Sequence, residues 1–230
     1  RPADICQNYT DSTNGNLTSC GLIPTTRPGH AHTIVQSLLD EAETSDPNNF
    51  YLIIMSGGDG TSLDALTALA GAPQKMRGRF AILRLPLGTG NDGADSRSLR
   101  EALSLLLKPT KLVFRPAVQL KTANRAMPPF LAFNILSLGI DAFISDLTNK
   151  LKKYLPGDSY RLMVEFSTLF YEVFYPPAPM ELVVYRDNTE TRLYEKLLLI
   201  AMGASGNRTY GSNKQILPDY RNICAIYKMG

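Results

Sequence analysis

The stretch "YLIIMSGGDGTSLDALTALA", residues 51–70, decides how this chain is read. A run of aliphatic side chains ends in three glycines around one aspartate, and a helix-forming run follows at once. The apolar residues of FYLIIM (50–55) are nearly continuous, the pattern of a central strand covered on both faces. Gly57, Gly58 and Gly60 can take positive φ and leave no Cβ between the backbone and a ligand. Between a strand and a helix, their N–H groups can converge on phosphate oxygens at the positive end of the helix dipole. Asp59 puts a charge where a metal or an attacking hydroxyl would sit, and Thr61 could both cap the helix and donate to a phosphate. The same turn can be a plain corner with Asp59 idle, and taken alone it leaves the two readings level. Its spacing fits neither G-x-x-x-x-G-K-[ST] nor G-x-G-x-x-G, which disfavours an ordinary P-loop or Rossmann site.

A second turn changes the balance. FAILRLP (80–86) reads as another buried strand, and PLGTGNDGA (86–94) follows it. Gly88, Thr89, Gly90 and Asn91 should therefore emerge at the same carboxyl edge of the sheet, where open α/β folds bind ligands. Two polar glycine loops on one edge make a site. Around them, TIVQSLLDEAE from Thr33 places Ile34, Leu38 and Leu39 on one side of an amphipathic helix, and SLREALSLLL is a further helix. Alternating strands and helices predict an α/β layer with an open, mostly parallel sheet.

Beyond KPTKLVFRPAVQL the texture changes. LAFNILSLG, PMELVVYR, YEKLLLIAMG and NICAIYK are strand candidates, interrupted by one helical stretch from Tyr160 to Phe174. They predict a second, largely antiparallel β-rich domain. The expected division is 1–115 and 116–230, with the site between the two and the second domain incomplete at its C-terminal end. Residues 1–24 are polar and read as loop or disorder.

Composition narrows the function classes. Among 230 residues, 24 basic and 21 acidic side chains leave a net charge of +3, too balanced to predict nucleic-acid binding. Cys6, Cys20 and Cys224 form no CxxC pair or Cys/His cluster, so neither a zinc site nor a disulfide framework is suggested, and a reducing, cytoplasmic setting is expected. Sequons at Asn8, Asn16 and Asn207 are short enough to arise by chance. No apolar run approaches the ~20 residues needed to cross a bilayer, so no transmembrane segment is expected.

The two turns together resemble the lipid kinases with a diacylglycerol kinase catalytic domain, which include sphingosine kinases and bacterial diacylglycerol and undecaprenol kinases. The resemblance is carried by Gly57-Gly58-Asp59-Gly60-Thr61, by Pro86-Leu87-Gly88-Thr89-Gly90-Asn91-Asp92, and upstream by Thr25-Thr26-Arg27-Pro28-Gly29-His30-Ala31. NILSLGIDA, with Asn134, Ser137, Gly139, Asp141 and Ala142, looks like the family's N-x-x-S-x-G-x-D-A. GNRTYGSNKQILPD is a looser match to a later segment. The matches run in the expected order from residue 25 to residue 219. The wider superfamily shares GGDGT, but G-T-G-N-D belongs to the lipid-kinase branch and no acidic N-E…D pattern is present, so NAD kinase is a distant alternative.

The resemblance implies an ATP- and Mg²⁺-dependent kinase that transfers a γ-phosphoryl group to a lipid hydroxyl, that of diacylglycerol, a long-chain base or a similar lipid. ATP would contact Thr25, Gly57, Gly58, Asp59, Gly60 and Thr61, and Gly88, Thr89, Gly90 and Asn91 from the second loop. Asp59 is the catalytic candidate and Asp141 the acceptor-side one; the metal ligands and the oligomeric state stay open. His30 reads as a structural residue at a helix start. Arg161, Lys214, Lys150, Lys152 and Lys153 read as surface residues with charge to offer phosphate or lipid head groups. A cytoplasmic protein, with peripheral attachment to a membrane open, follows from the substrate class. The chain departs from the family in three places: no N-P-x-S-G precedes Thr25, N-D-F-A-R reads N-D-G-A-D with Gly93 and Asp95, and no D-G pair follows LPD. These departures keep alive an alternative, a nucleotide- or lipid-binding sensor without turnover.

Overall fold

The computed structural model of the chain describes residues 21–88, 91–107, 112–123, 128–151, 170–204, 209–210, 214–215 and 223–227. The chain divides into two compact units, Arg1–Arg115 and Pro116–Gly230. Each carries its own sheet.

In the first unit, helix α1 (His30–Thr44) leads to strand β1 (Tyr51–Gly57), helix α2 (Asp59–Gly71), a short α3 (Gln74–Arg77), strand β2 (Phe80–Pro86) and helix α4 (Leu99–Leu107). The strands pair in parallel and in register from Tyr51↔Phe80 to Gly57↔Pro86, so both glycine loops leave from the same end. One face of this pair is closed by α1 and α2: Val35 and Leu39 pack with Met55, Ala65 and Leu69, and Ile53, Phe80 and Ile82 lie against them. Among the residues expected to face inward on α1, only Leu39 is buried. Ile34 and Leu38 are half-buried, and the buried stripe runs Ala31, Val35, Leu39, Ala42. Two of these four residues are alanines, and so weak a hydrophobic signal hid the stripe.

The expectation that β1 is covered on both faces is not met. Leu52 is 49% exposed and Ile54 is 45% exposed. On that side α4 packs on β2, where Leu83, Leu85 and Ala102 form a small core with Leu106, and among the described residues nothing extends this cover over β1. At the other end of the strands, Arg79 donates to Ala42 O at 2.7 Å, Asp46 O at 2.7 Å and Asn49 O at 3.1 Å. Its guanidinium thereby satisfies carbonyls at the negative end of α1 and lies over the Tyr51 ring at 5.7 Å.

The second unit is built on β7 (Thr189–Gly203). Strand β6 (Pro179–Arg186) pairs with it as a hairpin through Asp187 and Asn188, whose φ values of 45° and 65° are those of a two-residue turn that suits Asp and Asn. Strands β5 (Ile135–Gly139) and β10 (Ile223–Tyr227) flank β7, all antiparallel. A separate hairpin joins β3 (Val118–Leu120) and β4 (Phe130–Ala132), and β8 (Thr209–Tyr210) pairs with β9 (Lys214–Gln215). LAFNILSLG is therefore two strands, β4 and β5, interrupted by bends at Phe133 and Asn134.

A helix that the sequence reading did not anticipate, α5 (Ile140–Leu151), starts directly after β5. Ile140 packs on the Leu199/Ala201 core, Ile144 is buried, and Phe143 meets the rings of Tyr171 and Tyr175 at 5.6 and 5.4 Å. Ile140, Phe143, Ile144 and Leu147 have helical spacing, so the signal was present. Residues 170–174 are helical, and the rest of the helix expected from Tyr160 lies outside the described residues.

Candidate functional site

The first glycine loop ends β1 at Gly57 and opens α2 at Asp59, with Gly58 as the N-cap in extended backbone. No side chain caps this helix. Thr61 is thus not the cap that the sequence suggested. The helix begins at Asp59, which places Thr61 inside the first turn, where its Oγ1 would lie 3.0 Å from a Cβ built on Gly57. Gly57 is consequently tight, whereas a Cβ on Gly60 meets nothing within 4 Å. Asp59 is half-buried and Gly60 is exposed. The carboxylate of Asp59 also stands in the first turn of a helix, where the dipole favours a negative charge.

Asp59 reaches the second loop. Its Oδ1 accepts from Gly93 N at 3.0 Å and its Oδ2 from Asp92 N at 3.2 Å. One carboxylate therefore spans the two glycine loops. Within the second loop, Asn91 Oδ1 accepts from Gly88 N at 2.8 Å and Asn91 Nδ2 donates to Gly88 O at 2.7 Å. The Asn91 amide closes the loop on itself. Thr89 and Gly90, the other expected contacts, lie outside the described residues.

Thr25 is exposed, in irregular backbone before α1. The turn that follows is braced by His30, whose Nδ1 accepts from Thr26 N at 3.1 Å and lies 3.1 Å from Thr26 Oγ1. Gly29 caps α1 at φ 77°, a left-handed conformation that glycine adopts without strain. Its N–H donates to Asp64 Oδ2 at 2.9 Å. A carboxylate on α2 thus neutralises the positive end of α1 and ties the Thr25 segment to the helix of the first glycine loop. The sequence reading passed over Asp64, because a carboxylate on an amphipathic helix looks like a solvated one.

It also passed over Arg84. This arginine sits inside the apolar run FAILRLP and is 7% exposed. Its partner is Asp95, one of the residues in which the chain departs from N-D-F-A-R. Asp95 Oδ1 lies 3.0 Å from Arg84 Nη2, Asp95 Oδ2 accepts from Arg84 N at 2.7 Å, and Asp95 N donates to Arg84 O at 3.1 Å. A cation within an apolar strand was the available sign, since a buried charge requires a partner.

In the second unit Asp141 is 3% exposed, in the first turn of α5. It follows Gly139, whose φ is 88° and whose Cβ would sit 2.2 Å from Leu198 O. Lys150 is exposed and paired with Asp146 at 2.7 Å, a contact that raises its pKa through the hydrogen bond and the carboxylate charge. Lys152, Lys153 and Arg161 lie outside the described residues, and Lys214 is described only as part of β9. Among the described residues no group of three or more His, Cys, Asp or Glu could hold a metal ion, and no helix is long and apolar enough to cross a membrane.

Comparison with known proteins finds similarity to a curated protein, to solved structures and to a family model. A Cronobacter sakazakii protein named "Probable lipid kinase YegS-like" is 43% identical over 56 residues, which are 24% of this chain and 18% of that protein. Two solved structures of a candidate diacylglycerol kinase from Bacillus anthracis str. Sterne are 19% identical. They superpose with TM-scores of 0.44 and 0.49, covering 78% and 88% of this chain and 53% and 63% of theirs. The chain thus spans less than two thirds of the proteins it matches. Residues 3–112, which hold both glycine loops, match the diacylglycerol kinase catalytic domain, the family whose resemblance those loops carry.

Proposed function

We propose that this chain belongs to an ATP- and Mg²⁺-dependent lipid kinase that transfers the γ-phosphoryl group to a lipid hydroxyl at a membrane surface. The observation that supports it is the Asp59 carboxylate joining two glycine loops at the carboxyl end of parallel strands. In this reading the backbone N–H groups around Gly57 to Gly60, with Thr61, face phosphate oxygens, and Gly88 to Asn91 approach the nucleotide from the other side. Thr25 adds a hydroxyl from the segment held by Asp64. The acceptor hydroxyl oxygen forms a bond to the γ-phosphorus as the bond to the β,γ-bridging oxygen breaks, ADP leaves, and the hydroxyl proton passes to a carboxylate. Asp59 is the carboxylate assigned to that proton.

Mg²⁺ in a kinase site is held by one or two carboxylates together with phosphate oxygens and water, and when bound it would neutralise charge at the phosphates. Asp141 is assigned to the acceptor side in the β-rich unit, where the test is a rise in lipid KM in Asp141→Asn with the ATP KM unchanged.

The deciding experiment incubates the full-length protein with labelled ATP and a panel of diacylglycerol, a long-chain base and an isoprenoid alcohol. Label in one of these lipids, lost in Asp59→Ala, is the expected result. One observation favours a second reading, a nucleotide sensor without turnover: both Asp59 oxygens already accept backbone N–H groups. A melting temperature raised by MgATP with no lipid labelled would select it, and no shift at saturating MgATP would remove both.

A further inference from the structure

We propose that Arg84 and Asp95 form a positioning pair that presets the second glycine loop for the nucleotide; this rests on the kinase reading above. Asp95 meets Arg84 at three points. It accepts from the Arg84 backbone N–H at 2.7 Å, donates its own N–H to the Arg84 carbonyl at 3.1 Å, and pairs with the guanidinium at 3.0 Å. The first two contacts occupy the backbone of β2 at that position as a neighbouring strand would. The third places the counter-charge of a side chain that is 7% exposed.

The consequence is geometric. The chain runs on from Arg84 to the end of β2 at Pro86, passes through Gly88 and Asn91, and returns to Arg84 at Asp95, so the loop is pinned near its root. Within it, the Asn91 amide holds Gly88, and Ala94 N donates to Asn91 O at 3.0 Å. From outside, Asp59 holds Asp92 N and Gly93 N. Asp59 fastens the loop to its neighbour, and among the described residues Asp95 fastens it to the strand from which it springs. A loop held in this way has less backbone to order on binding, which is the physical content of preorganisation.

A buried ion pair can also serve the fold alone, so the test separates shape from stability. Removing one partner strands a buried charge, whereas replacing both by uncharged groups is often neutral for folding. The double variant Arg84→Met/Asp95→Ala is therefore the informative one. Its urea midpoint is expected to fall only as far as the Arg84 N–H left without its acceptor requires, while the Kd for MgATP, measured by calorimetry on the full-length protein, rises at least tenfold. Asp95→Asn keeps a backbone acceptor but removes the counter-charge, and is expected to raise the Kd by several-fold. A double variant that binds MgATP as the wild type does overturns the positioning role. If it is instead too unstable to assay, Asp95→Asn decides: an unchanged Kd overturns the proposal whatever the urea midpoint, and a raised Kd in folded protein upholds it. Failure of the wild type itself to bind MgATP would refute the kinase reading, and this inference with it.

Discussion

Gly139 and Gly60 are both glycines next to a helix start, and the fold treats them in opposite ways. At Gly139 the backbone is left-handed at φ 88°, and an added Cβ would lie 2.2 Å from the carbonyl oxygen of Leu198 on β7. Packing alone explains that glycine. Gly60 sits in the first turn of α2, in helical backbone, and an added Cβ would touch nothing within 4 Å. Nothing in the packing requires a glycine there. A glycine that packing does not require is free to let a ligand approach the backbone closely. The pair therefore separates a motif residue that builds the β-rich unit from one that the kinase reading reserves for a phosphate.

The largest effect should come from Gly139→Ala. A non-glycine residue in left-handed backbone costs about 1–2 kcal/mol, and forcing atoms into a filled space adds about 1–3 kcal/mol. A loss of about 2–5 kcal/mol is expected in urea unfolding of the full-length protein, with β5 detached from β7 and α5 set adrift. A variant with wild-type stability would mean that β5 and β7 do not approach each other as described.

Asp64→Ala should come next. It removes the acceptor for Gly29 N and leaves the N-terminus of α1 without its carboxylate, at an expected cost of about 1–2 kcal/mol. Because the same contact holds the Thr25 segment, MgATP affinity should fall as well, by several-fold. Asp64→Asn, which retains an acceptor oxygen, is expected to recover the stability more than the affinity. Equal recovery of both would place Asp64 with Gly139, as a residue of the fold only.

What was legible in the sequence divides along the same line. The strands and the two glycine loops could be read directly, because apolar runs and glycine are local signals. The antiparallel character of the second unit followed from closely spaced strand candidates. Helix α5 was missed because Ile140 to Ala142 were read as part of a motif, although Ile140, Phe143, Ile144 and Leu147 have helical spacing. Thr61 was taken for a cap because hydroxyl residues favour that position, but the helix begins earlier, at Asp59. The carboxylate contacts were invisible for a different reason. Asp59 and Asp64 each meet a backbone N–H more than thirty residues away, and no local pattern announces a long-range contact to the main chain. Asp95 was noticed only as a departure. Its partner, Arg84, gave the one sign available: a cation where the apolar pattern demanded an aliphatic residue.

The smallest effect on stability, and the sharpest on the comparison, is expected from Gly60→Ala. Alanine is favoured over glycine inside a helix by about 0.8–1 kcal/mol, partly through the smaller freedom it leaves the unfolded chain, and the open space around Gly60 means no clash offsets the gain. The urea midpoint should therefore rise slightly. In the same protein the new methyl group would stand between the backbone and the phosphates, so the Kd for MgATP should rise at least tenfold. These opposite signs are what distinguish a ligand-facing glycine from a corner. A plain turn predicts the gain in stability with affinity untouched, and a packing glycine predicts a loss of stability. Only backbone reserved for a phosphate predicts that the protein becomes more stable as it becomes a poorer binder, and calorimetry and urea unfolding on one preparation read both.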